Sequence, residues 1–318
     1  MNAVPTPTPL KPQHVLVTGG TGFIGRLLVK ALREDGHAVT VWARKPASAG
    51  FDAAVRCVRR LDDIPQTTAI DVVVNLAGAP IAGPRWSDAR KAELLQSRVG
   101  TTDTLVGWIG QRSLKPSLLL SASAIGYYGV QPQDDPAELT ESSPPQPVFM
   151  SELCQRWEAA AGAASRHGVR VACMRFGVVL GHHGSLPLLL LPVKLGVAGK
   201  LGTGRQCMSW IHVEDLLGAM KHVWRIAAEP DESTAPTTPQ AWNFTAPGAL
   251  PQSDFTRTAA EVLHRPFWFP TPGWPLRLAL GEQADLMLEG QRVAPARLLA
   301  SGFQFRFPDA RSALQDLC

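Results

Sequence analysis

Short apolar, β-branched runs alternate with longer segments of helical periodicity through the first half of the chain. The run at 14–18 ends in a glycine turn, an amphipathic segment follows Gly25, and a second apolar run occupies 38–43. Strand, turn, helix and strand in this order predict a βαβ unit, in which the two strands are parallel. Further strands are predicted at 55–58, 72–76, 117–120 and 169–174, and long helices at 88–112 and 150–167.

This alternation predicts an α/β protein with a Rossmann-type, doubly wound parallel sheet over residues 14–180 and a smaller C-terminal substrate lobe. Residues 1–13 are interpreted as a flexible tail. A helix is predicted from Val213 to about Ile226, and segment 210–245 is expected to return to the sheet. Residues 181–209 and 246–318, which are interrupted by glycine and proline, are assigned to the lobe.

Composition narrows the class of protein. With 318 residues, 45% hydrophobic and 18% charged, the chain is expected to bury a sizeable core. No apolar run approaches the roughly 20 residues of a membrane-spanning helix, and the first residues do not resemble a secretory signal, so we expect a cytoplasmic protein. The net charge is +4 and the basic residues are scattered along the chain, which argues against nucleic acid as a binding partner. Five cysteines lie far apart without zinc-ligand spacing, so we expect reduced thiols and no metal.

Three glycines, Gly19, Gly22 and Gly25, follow the first strand and open the first helix. In this context the first glycine permits a tight turn, the second lets backbone amides approach a pyrophosphate, and the third allows helix and strand to pack closely. The helix N-terminus adds N–H donors and a partial positive charge. A glycine turn without a ligand is the alternative, but the βαβ context favours dinucleotide binding.

The end of the second strand bears on which dinucleotide is bound. An acidic residue there would accept from the ribose 2′-OH of NAD. The chain instead continues from Trp42 and Ala43 into Arg44 and Lys45, and two cations suit a 2′-phosphate. NADP is therefore predicted, with a solvated basic turn as the alternative.

Several motifs in order give the chain a family resemblance. The first set comprises Thr18-Gly19-Gly20-Thr21-Gly22-Phe23-Ile24-Gly25, Asn75-Leu76-Ala77-Gly78, Ser121-Ala122-Ser123-Ala124 and Trp210-Ile211-His212-Val213-Glu214-Asp215. The second comprises Pro84-Arg85-Trp86, Ser97-Arg98-Val99, Gly126-Tyr127-Tyr128-Gly129, Leu153-Cys154-Gln155-Arg156-Trp157-Glu158 and Gly290-Gln291-Arg292-Val293. Together they resemble an atypical extended short-chain dehydrogenase/reductase of the "epimerase family protein" group, also described as SulA-like.

The resemblance implies a Rossmann core that holds NADP, with a substrate cleft between core and C-terminal lobe. Residues 270–318 match the small C-terminal domain of unknown function in that group. The helices at 88–112 and 150–167 correspond to those that form dimer interfaces in related folds, so a homodimer is expected. The expected cofactor contacts are Gly19, Thr21, Gly22, Phe23, Ile24, Gly25, Arg44, Leu76, Ala77, Gly78 and Ser121.

One part of the family pattern is missing. Most relatives carry a Tyr-x-x-x-Lys dyad, in which the Lys lowers the Tyr pKa and the Tyr transfers a proton. Here Phe149 stands at the expected Tyr position and Leu153 at the Lys position. The chain has only two tyrosines, Tyr127 and Tyr128, and no lysine between positions 115 and 194.

Two residues are candidates for the catalytic role. Ser123 corresponds to the active-site Ser of the family, and capping of a strand end is its alternative role. Tyr127, or its neighbour Tyr128, follows in a glycine-flanked loop and is a candidate proton donor. Glu152 and Glu158 are interpreted as solvated residues of one helix surface, although Glu152 lies close enough to the vacant dyad to be considered as a base.

The substrate is expected to be small and anionic. The arginine by which related epimerases contact a diphosphate is replaced by Met208, which argues against a UDP-sugar. Four other arginines are candidates for an anion at the cleft, and structural ion pairs are their alternative role. They are Arg85, Arg98, Arg175 and Arg205.

Two functions follow from these observations. The first is an NADP-dependent oxidoreductase or epimerase-like enzyme with a noncanonical acid/base residue. The second is an NADP-binding regulatory protein that has lost catalysis, with a link to cell division suggested only by the SulA-like name.

Overall fold

The computed structural model describes residues 11–228 and 238–318. The predicted tail at 1–13 lies largely outside this part of the chain. The strands are β1 (His14–Thr18), β2 (Ala38–Trp42), β3 (Val55–Val58), β4 (Val72–Asn75), β5 (Leu118–Ala124), β6 (Arg170–Phe176), β7 (Val178–Leu180), β8 (Cys207–Met208), β9 (Trp210–His212), β10 (Gln240–Phe244) and β11 (Leu250–Pro251).

The helices alternate with these strands in the first half of the chain and dominate its C-terminal part. They are α1 (Phe23–Glu34), α2 (Asp88–Leu95), α3 (Thr101–Gln111), α4 (Phe149–Gly162), α5 (Leu186–Lys194), α6 (Val213–Ala228), α7 (Gln252–Val262), α8 (Trp274–Leu280), α9 (Asp285–Leu288), α10 (Ala296–Ala300) and α11 (Ala310–Leu317).

Seven strands form one parallel sheet in the order β10-β6-β5-β4-β1-β2-β3. The order reverses at β1, as in a doubly wound fold, so the predicted Rossmann-type sheet is confirmed. Alternate residues of each strand face opposite sides. Val15 and Val17 pack in a core with residues of α1 and α6, whereas Leu16 packs with residues of α3 and α4.

The helix predicted at 88–112 is interrupted by a π-helical turn at Gln96–Gly100. Ser97 and Arg98, both in this turn, bind the backbone N–H and C=O of one residue, Ala79, in the loop after β4. Ala79 N donates to Ser97 Oγ over 3.1 Å, and Arg98 Nη2 donates to Ala79 O over 2.9 Å. The loop that leaves β4 is therefore held on both its N–H and its C=O side.

A third core joins α5, α7 and α11, and includes Leu190, Phe255 and Leu314. Residues 290–293, called the strap below, connect this C-terminal part to the sheet. Ser209 Oγ donates to Gln291 O over 2.8 Å and accepts from Val293 N over 2.9 Å. Arg292 N donates to Gln131 Oε1 over 2.7 Å. No helix in the described residues is long and apolar enough to cross a membrane.

Candidate functional site

A cleft of about 670 Å³ opens at the carboxyl ends of the sheet strands. Residues that follow β1, β4, β5 and β6 line its walls, and residues 282–291 close one side. Ligands of doubly wound folds bind at this edge, where the strand order reverses. The cleft is therefore the candidate functional site.

One end of the cleft, called the glycine end, consists of residues 19, 22–25 and 76–78. Gly19 has φ +66°, and a Cβ there would lie 2.5 Å from Leu76 O. A Cβ on Gly25 would lie 2.3 Å from Gly19 O. These close approaches require glycine, because a Cβ on Gly19 would push the turn away from Leu76, and a Cβ on Gly25 would push the helix away from the turn.

Helix α1 begins at this end without a side-chain cap on its N-terminal cap residue, Gly22. The first amides of an α-helix have no partner within the helix. Phe23, Ile24 and Gly25, which carry these amides, all line the cleft. The glycine end therefore presents backbone donors and the positive end of a helix dipole, which suit a phosphate group.

Eight of the predicted cofactor residues line the cleft: Gly19, Gly22, Phe23, Ile24, Gly25, Leu76, Ala77 and Gly78. Three others are placed outside its lining. Thr21 is exposed before α1, and its carbonyl accepts from Arg26 Nε over 3.1 Å. Ser121 is buried, and its Oγ accepts from Asn75 Nδ2 over 3.2 Å. Arg44 is exposed two residues beyond β2.

A second part of the lining, called the apolar end, includes six apolar residues: Ile81, Trp86, Val130, Val148, Met150 and Leu286. Helix α4 supplies part of this wall. Met150, Leu153 and Cys154 line the cleft, whereas Phe149 packs edge-on against Trp86, with ring centroids 5.3 Å apart. The assignment of Phe149 to the missing Tyr position stays a prediction, and its ring packs against Trp86 instead of lining the cleft. Two pairs of α4 residues four positions apart line the cleft, Met150 with Cys154 and Leu153 with Trp157.

None of the α4 residues that line the cleft, which are Met150, Leu153, Cys154 and Trp157, offers a ready proton donor or base. Met150 is apolar, and burial raises the pKa of the Cys154 thiol to about 12. Glu158, which is negatively charged and lies one turn further along α4, adds to that rise. The thiol therefore stays protonated at neutral pH.

Ser123, a predicted catalytic residue, lines the cleft at the end of β5. Its hydroxyl donates to Glu158 Oε1 over 2.7 Å. Arg175 binds the same carboxylate through Nε and Nη2, each over 2.8 Å. The expectation that Glu158 is solvated was wrong, because its side chain is only 14% exposed and that of Arg175 only 4%.

The two tyrosines complete this buried network. Arg175 Nη1 donates to the Tyr128 hydroxyl over 2.9 Å, and that hydroxyl donates to Asn243 Oδ1 over 2.6 Å. The Arg175 guanidinium also lies 3.4 Å from the centroid of the Tyr127 ring. Burial raises the pKa of Tyr128, and Arg175 opposes that rise. Neither tyrosine belongs to the residues that line the cleft.

Arg175 is fully engaged by these partners. Burial alone would lower its pKa, but the hydrogen bonds and charge of Glu158 outweigh burial, so its pKa lies above the ordinary value. The residue functions as the cationic centre of the network. It is not among the residues that line the cleft.

The other three predicted substrate arginines do not converge on one anion site. Arg98 lines the cleft, but its guanidinium holds Ala79 O and lies 5.3 Å from the Trp157 ring centroid. Arg85 is exposed beside Gly281, and Arg205 is exposed before β8. The structure thus disperses the four arginines.

Sequence reasoning missed two features of the cleft. The apolar wall includes Trp86, which the sequence marks only as part of the Pro84-Arg85-Trp86 motif. Three carboxylates, Glu282, Asp285 and Glu289, line the cleft from the C-terminal part and are called the acidic rim. Their appearance at the cleft depends on the docking of the C-terminal part, which leaves no local signal in the sequence.

Fold and cleft together define a Rossmann-type α/β protein with a dinucleotide-type glycine turn. A model of the NAD dependent epimerase/dehydratase family matches residues 15–239. A model described as a domain of unknown function (DUF1731) matches residues 271–317. The chain therefore belongs to the NAD dependent epimerase/dehydratase family and carries this second domain, which confirms the resemblance.

Relatives of similar length match almost all of the chain. Epimerase family protein YfhF of Bacillus subtilis is 36% identical over 308 residues, which cover 96% of this chain and 97% of the relative. The chloroplastic SDR39U1 homologue of Arabidopsis thaliana is 36% identical over 319 residues, with 95% and 85% covered. A crystal structure of human epimerase family protein SDR39U1 (isoform 2) with NADPH gives a TM-score of 0.81 at 34% identity, with 96% and 98% covered.

Proposed function

We propose that the chain is a cytoplasmic, NADP-dependent oxidoreductase or epimerase-like enzyme with a noncanonical acid/base arrangement. The observation that carries this proposal is the single cleft that joins the uncapped start of α1 to the Ser123 hydroxyl. The NADPH-containing crystal structure of human SDR39U1 supports the choice of cofactor.

The residues present fit a dinucleotide. The glycine end offers backbone donors for a pyrophosphate, and its glycines leave no side chain between the turn and the helix. Arg44 stands beyond the end of β2, where a 2′-phosphate would require a cation. When bound, such a cofactor supplies reversible hydride exchange.

Ser123 is the proposed contact to the substrate oxygen. Its proton is directed to Glu158 Oε1, so its lone pairs can accept a hydrogen bond from a substrate hydroxyl at the cleft. Glu158 in turn is fixed by two hydrogen bonds from Arg175. Glu158 and Arg175 therefore act as positioning residues, because they orient the Ser123 hydroxyl.

The cofactor assignment is tested by calorimetric titration with NADPH and NADH. We expect NADPH to bind at least about tenfold more tightly, which corresponds to about 1.4 kcal/mol. Arg44→Ala should remove most of that preference. Arg166→Ala should preserve it, because Arg166 is exposed and lies before the amino end of β6, away from the cleft. Equal affinities of the unmodified chain for the two cofactors would reject the NADP assignment.

A second candidate function is that of an NADP-binding regulatory protein linked to cell division. The observation that favours it is the cleft-facing surface of α4, where Met150, Leu153 and Cys154 replace acid/base groups. This function predicts tight NADPH binding without oxidation of NADPH by any member of a carbonyl and sugar-nucleotide library. It also predicts protein partners whose capture depends on NADPH. Turnover that Ser123→Ala abolishes would decide for the enzyme.

A further inference from the structure

We propose that the apolar end of the cleft binds an uncharged substrate with a hydrophobic body, and that the acidic rim disfavours anions such as nucleoside diphosphate sugars. This inference rests on the proposed function, since it concerns the substrate part of the same cleft. It replaces the expectation of an anionic substrate with one based on the charges that line the cleft.

The walls of the apolar end offer contact area for a hydrophobic group. Trp86 is fixed from two sides, since its Nε1 donates to Ile81 O over 3.3 Å and its ring packs against Phe149. Val148 and Met150 flank Phe149 in sequence and face the cleft. An aromatic or aliphatic body placed here would exchange water for apolar contacts, which is the main favourable term in binding of this kind.

The polar groups beside these walls are already engaged. Ser123 donates to Glu158, and the Gln291 side-chain amide donates to Gly129 O. The Ser123 Oγ therefore keeps its lone pairs as acceptors, and the Gln291 side chain keeps its oxygen as an acceptor and its second N–H as a donor. This suits a substrate with one or two hydroxyl groups on a hydrophobic body, or the corresponding carbonyl compound after Ser123 rotates.

The charges that line the cleft disfavour an anion. Among the described lining residues, Arg98 is the single cation, and burial lowers its pKa. Its guanidinium is held by the carbonyl oxygens of Ala79 and Leu94. A diphosphate would need several free cationic donors, as anion sites usually provide.

The acidic rim adds repulsion. Glu282 is paired with Lys91, and Arg277 is shared by Asp285 and Glu289. The rim thus has one more carboxylate than it has partner cations. The three rim carboxylates and their two paired cations therefore carry one net negative charge on the side of the cleft that the C-terminal domain forms, and the exposed Arg85 lies beside Gly281 at the edge of this rim.

The test compares a matched pair of probes by calorimetry on NADP-loaded protein: 2-acetylnaphthalene, which is neutral, and 6-acetyl-2-naphthoic acid, its anionic analogue. We expect the neutral ketone to bind at least about tenfold more tightly and UDP-glucose to give no measurable binding. Tighter binding of the carboxylate, or displacement of the ketone by UDP-glucose, would overturn the proposal. NADPH binding is measured first, because its absence would refute the proposed function and not the substrate class.

Variants locate the binding. Ile81→Asp should weaken the ketone about tenfold while leaving the melting temperature and NADPH affinity unchanged. Leu286→Asp, at a residue already 41% exposed, is the second variant if Ile81→Asp fails to fold. Leu114→Asp is the matched control, because Leu114 is 51% exposed and precedes the amino end of β5. Unchanged ketone affinity in both cleft variants would overturn the assignment.

A charge variant tests the rim separately. Glu289→Gln removes one carboxylate and leaves Asp285 to pair with Arg277, over 2.9 Å. We expect the anionic probe to bind about threefold more tightly and the ketone to be unaffected. No gain for the anion would remove the rim from the proposal, whereas an equal gain for both probes would contradict a charge effect.

Discussion

The two ends of the cleft are built in different ways. The glycine end is made from backbone, since it depends on positions where a Cβ would collide and on a helix start that keeps its donors free. The apolar end is made from side chains, and the polar groups beside it, from Ser123 to Asn243, are bonded to one another. A site made of backbone atoms is expected wherever the same local sequence occurs. A site made of side chains can change its ligand when those side chains are substituted.

The largest effect that we predict concerns the ion pair behind the apolar end. Glu158→Gln leaves the Arg175 charge buried without its partner, so the free energy of unfolding should fall by about 3–5 kcal/mol in urea denaturation. The control is Glu34→Gln in the exposed Lys30–Glu34 pair, which should cost no more than about 0.5 kcal/mol. Equal losses in the two variants would mean that the network does not hold this end together.

The second effect concerns the glycine end. Gly25→Ala places a Cβ 2.3 Å from Gly19 O, so the turn and α1 must separate. NADPH affinity should fall at least about a hundredfold in calorimetric titration. Gly107→Ala is the control, because an added Cβ on that exposed glycine of α3 meets no atom within 4 Å. Full NADPH affinity in Gly25→Ala would show that the backbone geometry is not essential.

A smaller effect separates the two tyrosines. Tyr128→Phe removes a hydroxyl that accepts from Arg175 and donates to Asn243, which should cost about 1–2 kcal/mol of stability. Tyr127→Phe keeps the ring that lies against the guanidinium, so its melting temperature should stay within a degree or two of the unmodified protein. A larger loss for Tyr127→Phe than for Tyr128→Phe would reverse their roles in the network.

The smallest effect is a pH dependence of the free energy of unfolding, which arises at His37, directly before β2. Burial lowers the pKa of His37 below its ordinary value of 6.5, and its Nδ1 accepts from Gln13 N over 3.1 Å. The unfolded chain therefore binds the proton more readily, so stability should fall as pH drops from 7 through 6.5 toward the folded-state pKa. His37→Gln, which retains an acceptor, should show a shallower loss in urea titrations at pH 7 and 5.

The same titration tests whether the two ends belong to one folding unit. Tryptophan fluorescence and NADPH binding should be lost over the same range of urea concentration at both pH values. Separate transitions would show that the glycine end unfolds independently of the apolar end.

Much of the sheet could be predicted, because its strands are short apolar runs bounded by glycine and polar residues. The strand at 117–120 was predicted to end too early, since Ser121-Ala122-Ser123-Ala124 has little β-propensity. The structure extends β5 to Ala124, where the chain pairs with β6 up to Phe176. Pairing with β6 therefore extends β5 beyond the residue at which local β-propensity predicts its end.

The cleft could be predicted only at its glycine end. The collisions that require Gly19 and Gly25 are local, so their spacing signals the turn directly. The partner of Arg175 lies 17 residues away on another element, and no local pattern reveals that pairing. The side of α4 that faces the cleft depends on how the helix docks, so the local sequence does not show that Phe149 packs against Trp86. The domain limits, the dimer and the catalytic role of Tyr127 stay predictions.

The strap also bears on how this chain could have been assembled in evolution. Gln131 and Ser209, which are 6% and 1% exposed, complete their hydrogen bonding with atoms of residues 290–293. A chain that stopped before residue 290 would leave these buried groups unpaired, at about 1–3 kcal/mol each. The DUF1731 segment therefore cannot be removed without the loss of these hydrogen bonds. A chimera that exchanges this segment between relatives must therefore carry the strap together with its partners Gln131 and Ser209.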